Sequence, residues 1–332
     1  MTGLRVLFIG GTGIISSACV PSAVAAGHDV TVLNRGTSST RPLPPEVHRL
    51  TADVHDAGSV ATALGAEEFD VVADFVAFTP EHVQADIGYF TGRVGQYVFI
   101  SSASAYQTPP AHLPITEGTA LANPFWQYSR DKIACELLLG AAYRDSGFPA
   151  TIVRPSHTYD ATLVPTLGGW TDVARMRAGI PAVVHGDGSS LWVLTHHTDF
   201  ARAFTGLLGR RAAVGASVHI TSDETLSWDD VYRALADAAG VWDPQLVHVT
   251  SDDIAAAVPD WGPGLLGDKA HSVFFDNTLV KSLVPGWTAT VPFAVGAREI
   301  VAWHEADPGR TVPDAETERR LQLLLDGSPA TA

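Results

Sequence analysis

Tyr128 and Lys132 stand four residues apart in WQYSRDK, downstream of a serine pair, Ser101 and Ser102, in QYVFISSASAY. On a helix that spacing puts the two side chains one turn apart on the same face, with an ammonium beneath a phenol. A free phenol has a pKa of about 10 and is a poor base at neutral pH. A neighbouring ammonium favours the phenolate and is expected to lower that value. Tyr128 could then exchange a proton with a substrate hydroxyl or carbonyl. Ser102 is placed to hydrogen-bond the reacting oxygen, with Ser101 and Ser104 as competitors that spacing alone does not separate. Seven tyrosines and three lysines in 332 positions give roughly 0.06 such pairs by chance, so coincidence explains this motif poorly.

The start of the chain could supply a redox partner for that phenol. VLFIGGTGIIS places Gly10, Gly13 and Ser16 between a strand-like run and a helical pattern. Glycine there lets the backbone turn tightly against a pyrophosphate, while first-turn N–H groups and the helix dipole supply positive potential. Serine at the third position is small enough to keep helix and strand close. The loop residues Gly10, Thr12, Gly13, Ile14 and Ile15 are therefore expected to hold a dinucleotide, whose oxidised nicotinamide would add a second positive charge near Tyr128. After the second strand, VLNRG offers Asn34 and Arg35 where an NAD site would place a carboxylate, so NADP is favoured and NAD is the alternative. Asp53 and Val54, in TADV, are placed to meet the adenine ring; the competing readings are a surface arginine and an ordinary turn former.

Positioning these groups requires a particular order of elements. Short β-branched runs at Arg5–Ile9, Asp29–Leu33, His48–Thr51, Val71–Val76, Gln96–Ser101 and Thr151–Val153 alternate with helical patterns at 13–26, 59–64 and 125–146. Such alternation predicts an α/β fold with a doubly wound parallel sheet of Rossmann type. Beyond about residue 165 the strand-like pieces shorten to 182–185, 191–194, 218–221 and 246–249, between helices at about 199–209, 228–239 and 293–304. The expected division is a dinucleotide-binding domain over residues 1–165 and a smaller substrate-binding α/β lobe over 166–332. Residues 195–222 or so are expected to return to the sheet.

Composition narrows the function. Asp and Glu number 36 against 21 Lys and Arg, a formal charge of −15, which repels phosphate backbones and argues against nucleic acid as the main ligand. Hydrophobic residues make up 46%, enough for a large core and against disorder. Two cysteines, Cys19 and Cys135, exclude a disulfide scaffold and suit a reducing cytosol. No secretory leader is recognised and no apolar run reaches the ~18 residues of a membrane span; the expectation is a soluble cytoplasmic protein. No spacing makes a convincing metal site: His196 and His197 read as structural and Asp199 as a helix cap.

With these motifs in view, the chain resembles an extended or atypical short-chain dehydrogenase/reductase of the NAD-dependent epimerase/dehydratase superfamily over nearly its whole length. GGTGIIS, ISSASAY, YSRDK, VRPSHTYD and GDGSSLWVLTHHTDFA carry the likeness. The run DVVADFVAFTPE is closer to an atypical branch that includes chloroplast stem-loop RNA-binding proteins. The resemblance implies that Ser102, Tyr128 and Lys132 carry catalysis, that Lys132 also contacts the nicotinamide ribose, and that groups around Phe75, Pro155 and His157 meet the cofactor. It also admits a homodimer through the helix bearing Tyr128. His157 stands where UDP-sugar enzymes generally have asparagine, and Trp192 where they have arginine, so a UDP-sugar substrate is disfavoured. Ser104, His157 and Trp192 are the expected substrate contacts, although a strand tryptophan is more often core. The expected function is an NADP-dependent oxidoreductase interconverting a secondary alcohol and a ketone on a sugar-like or aminocyclitol-like small molecule. The alternatives are an epimerase with tightly held NAD and an RNA-binding or scaffold protein on the same fold.

Overall fold

The computed structural model describes residues 3–36 and 40–327. Seven parallel strands form the central sheet: β1 (Arg5–Ile9), β2 (Asp29–Asn34), β3 (His48–Thr51), β4 (Phe69–Asp74), β5 (Val94–Ile100), β6 (Ala150–Pro155) and, from the second half, Ser217–Ile220. Their spatial order is 3-2-1-4-5-6, with Ser217–Ile220 outside β6. The order reverses between β1 and β4, which opens a crevice at their carboxyl ends where ligands of such sheets bind. The central strands are buried on both faces and are therefore almost continuously apolar.

One face is covered by α1 (Ser16–Ala25) and by the helix His197–Leu207, packed around Phe8, Phe200 and Phe204. The other is covered by α2 (Ala57–Leu64), α3 (Pro80–Phe90) and α4 (Gln127–Ser146), around Leu7, Val72 and Phe99. Asp56 caps α2 by accepting from Gly58 and Ser59 N–H, and Gly147 closes α4 in a left-handed conformation. The helix expected from Gly13 begins at Ser16, because residues 11–15 form the turn itself. α3 was not evident in the sequence, since PEHVQADIGYF buries only Val83 and Phe90.

The second half builds a separate core around Tyr159, Trp192, Trp228 and Phe293. Small two-stranded pairings hold it: His157–Tyr159 beside Leu194–His196, Leu191–Trp192 against Leu226–Ser227, and Ala182–His185 beside Leu246–Val249. Among the described residues, no helix is long and apolar enough to cross a membrane.

Candidate active site

The glycine turn sits at the carboxyl edge of β1. Gly10 has φ +85°, and a Cβ there would lie 2.4 Å from Val76 Cγ1, so any side chain would displace the segment after β4. Ser16 Oγ accepts from Gly13 N–H at 2.9 Å and ties the turn to α1. The first turn of α1 has no side-chain cap and no acidic residue, which leaves it suited to an anion.

Two cavities flank this turn and share Phe78. The smaller, about 230 Å³, is lined by Gly10, Thr12, Asn34, Arg35, Asp53, Val54 and His55. The larger, about 440 Å³, runs past Gly13, Ile14, Ile15 and Phe75 to Ser102, Ser104, Tyr128, Lys132, Pro155, His157 and Trp192. Every residue expected from the sequence at the site thus lines one of the two. Asn34 Oδ1 accepts from Gly36 N–H at 2.9 Å, while Arg35 is exposed and makes no ion pair among the described residues. The uncapped turn, the glycine cradle and paired cavities suit the two ends of a dinucleotide, with Lys132 between β5 and the larger cavity.

Lys132 is buried, and its Nζ donates to Ala77 O at 2.7 Å and Ile100 O at 2.8 Å. It also lies 4.8 Å from the Phe78 ring centre, 4.7 Å from that of Phe99 and 5.8 Å from that of Tyr128. Burial lowers its pKa to about 8, against the opposing charge of Asp74. The phenol differs from expectation. Burial pushes Tyr128 up to about 12, outweighing the opposing influence of the nearby Ser102 hydroxyl, and the charge of Asp268 adds to the rise. The ammonium is committed to two carbonyls and does not lower the phenol in this state; the nicotinamide charge belongs to the bound cofactor.

The lysine makes a pH prediction. The folded side chain gives up its proton near pH 8 and the unfolded one near pH 10.5. Between those values the unfolded chain holds more protons, so this group's contribution to stability rises with pH. In urea titrations, wild type should gain stability relative to Lys132→Met as pH rises from about 8 to about 10.5. A difference that stays constant would show that the buried lysine titrates normally.

The serines are separated by their partners. Ser101 is buried and its hydroxyl donates to Glu136, which pairs with Arg154 through Nε–Oε1 at 2.9 Å and Nη2–Oε2 at 2.5 Å. Ser102 and Ser104 face the cavity instead, 2.9 Å apart at their hydroxyls, and Ser129 Oγ donates to Ser104 Oγ at 2.8 Å. His157 is kept neutral by burial and by the Lys269 charge, its pKa lowered to about 3. Trp192 is only 3% exposed and packs on Trp228, with ring centres 5.8 Å apart. It is a core residue whose edge forms part of the cavity wall.

Several contributors escape sequence reasoning. Asp74, buried at the end of β4, accepts from Val76 N–H at 2.7 Å and Ala77 N–H at 3.0 Å, and so fixes the carbonyl that holds Lys132. The Tyr97 hydroxyl lies 3.1 Å from Asp74 Oδ2 and 2.7 Å from Asp86 Oδ2, and burial, followed by the Asp74 charge, raises Asp86 well above the usual carboxylate range. The acid ending DVVAD was the available signal for Asp74. Asn123 Nδ2 donates to Ser104 O at 2.9 Å and Gly267 O at 2.6 Å, while its Oδ1 accepts from Phe125 and Trp126 N–H. Among the described residues, no group of three or more His, Cys, Asp or Glu could hold a metal ion.

Residues 6–91 and 90–220 match the model of the NAD dependent epimerase/dehydratase family. The 2'-dehydrokanamycin reductase of Streptomyces kanamyceticus is 32% identical over 243 residues, covering 71% of this chain and 67% of that protein. The chloroplast stem-loop binding protein of 41 kDa b from Arabidopsis thaliana is 29% identical over 295 residues, 85% of this chain and 74% of its own. Among solved structures, UDP-glucose 4-epimerase from Bifidobacterium longum with NAD+ and UDP superimposes with a TM-score of 0.72 at 18% identity, covering 92% of this chain and 99% of that one.

Proposed function

The chain belongs to the NAD dependent epimerase/dehydratase family, and from that premise we propose that it is an NADP-dependent oxidoreductase interconverting a secondary alcohol and a ketone on a sugar-like or aminocyclitol-like small molecule. One observation carries this reading: Ser102 and Tyr128 line the same larger cavity beside a buried, carbonyl-anchored Lys132, the phenol close enough to Ser102 to feel its hydroxyl. Gly13, Ile14 and Ile15 would hold a nicotinamide nucleotide, which would supply or accept hydride. Ser102 holds the substrate oxygen, and Tyr128 gives that oxygen a proton in reduction or takes it in oxidation. With its third donor Lys132 would hold the cofactor ribose.

NADP is favoured over NAD because Arg35, exposed beside the smaller cavity, can pair with a 2'-phosphate, and neither Asn34 nor Arg35 supplies a carboxylate for the ribose diol. A small polar substrate is favoured over RNA by the −15 charge, and the extended likeness to a reductase supports net redox chemistry. The protein's two cysteines, both free, suit a reducing cytoplasm as the compartment for such chemistry.

The test is cofactor titration by energy transfer from tryptophan, followed by NADPH consumption at 340 nm over a panel of keto-sugars. NADPH should bind at least about tenfold more tightly than NADH. A protein that binds neither nucleotide sinks the proposal. Copurifying, non-exchanging NAD with no net redox change would replace it with an epimerase.

A further inference from the structure

Part of the wall of the larger cavity comes from a segment the redox reading does not use. Leu265–Lys269 forms a single wide helical turn of π type, an arrangement that recurs at functional sites. It is pinned from two sides. Gly267 O accepts from Asn123 Nδ2 at 2.6 Å, and Lys269 O from His185 Nε2 at 3.1 Å and Ser190 Oγ at 3.3 Å. A Cβ on Gly267 would meet Trp126 Cβ at 2.9 Å and Asn123 Oδ1 at 3.0 Å, so the turn lies directly on the approach to α4. Between the two pinned carbonyls, Asp268 lines the cavity, close enough to Tyr128 to raise its pKa.

Asp268 is an unusual carboxylate. Its side chain is 19% exposed; among the described residues its one ion pair is with Lys269 Nζ, 3.6 Å from Oδ2, and it has no other hydrogen-bond partner. Its oxygens are not sealed in packed protein but open onto the cavity, where the donors of a bound molecule can reach them. Burial raises its pKa to about 6, only partly offset by the Lys269 charge. The other ionisable groups lining the cavity are His157, His271, Lys132, Lys269, Tyr106 and Tyr128; Lys132 spends two of its three donors on carbonyls, and His157 is neutral. In the cavity that holds the reacting hydroxyls, one underused anion therefore stands on a pinned turn.

We propose that Asp268 is the substrate anchor, recognising a protonated amine on a sugar or cyclitol ring whose carbinol carbon lies at Tyr128. This rests on the redox reading above and deepens it by naming the substrate's second functional group. An ammonium donates up to three hydrogen bonds and matches an anion lacking donors, whereas a hydroxyl in the same place offers one neutral bond.

The deacetylated disaccharide of chitobiose and cellobiose share a skeleton and differ by ammonium for hydroxyl. Calorimetric titration of both into wild type, Asp268→Asn and Asp268→Glu, each saturated with NADP, decides the assignment. Wild type should bind the amino-disaccharide about 10- to 100-fold more tightly than cellobiose. Asp268→Asn should abolish that preference, and Asp268→Glu should keep most of it. Equal binding of the two sugars by wild type, no binding of the amino-sugar, or a preference that survives in Asp268→Asn would overturn the assignment. NADP affinity, read on the same samples, should not change among the three proteins. A wild type that prefers the amino-sugar through Asp268 but binds no nicotinamide nucleotide would keep this assignment and remove the redox reading.

Discussion

Replacing Tyr128 with phenylalanine is expected to lower kcat by about 10²- to 10⁴-fold, the usual worth of a positioned proton donor. NADPH affinity should stay within about twofold, because the lost hydroxyl serves the transition state and not cofactor binding. The ring would keep its packing on Trp126, 4.9 Å between centres, and on Phe78 at 6.4 Å. Only the hydroxyl's polar interaction near Ser102 disappears, so stability should change by no more than about 1 kcal/mol. The raised phenol also sets a direction. With a pKa of about 12 before cofactor binds, Tyr128 is a neutral acid across the physiological range, ready to protonate a developing alkoxide. Reduction should consequently be flat with pH through neutrality. Oxidation, which needs the phenolate, should rise with pH. Single-turnover absorbance at 340 nm measures both directions. Unchanged turnover in Tyr128→Phe would show that another group moves the proton.

The parts of this site readable from sequence are those fixed by local geometry. The Tyr128–Lys132 pair needs only a helix, and the turn at Gly10–Gly13 needs only a strand followed by a helix; both are encoded within a few residues. Parallel strands were legible because burial on both faces demands uninterrupted apolar runs, and β1 and β3 have the bounds expected of them. What stayed hidden depends on distant pairing. Asp268 reaches the cavity only because Asn123 and His185, far apart in the chain, grip its neighbours' carbonyls. The direction of the Tyr128 shift was hidden for a related reason: spacing counts the neighbouring charge, but the desolvation that outweighs it comes from the closed fold. Ser101 looked equivalent to Ser102 until Glu136, a full helix away in sequence, claimed its hydroxyl.

That claim gives the largest expected stability effect. Glu136 and Arg154 have side chains 3% and 4% exposed and join α4 to β6 behind the serine segment. Burial works against the Arg154 charge, but the hydrogen bonds and charge of Glu136 outweigh it and hold the guanidinium pKa above its ordinary value. Arg154 also stacks 4.7 Å from the Tyr106 ring centre, and Tyr106 Oη lies 3.0 Å from His219 Nδ1. Glu136→Ala would leave a desolvated cation whose Nη1 already lacks an acceptor, together with a Ser101 hydroxyl stripped of its partner. The expected loss is about 3–5 kcal/mol, seen as a lower urea midpoint with a similar slope. Removing both charges, as Glu136→Met with Arg154→Met, should cost much less, since no buried ion remains unpaired. Turnover should fall further in the single variant, because Ser101 adjoins Ser102 and Tyr106 lines the cavity. A double variant as unstable as the single one would mean that the pair acts through packing, with charge compensation contributing nothing to how β5 presents Ser102.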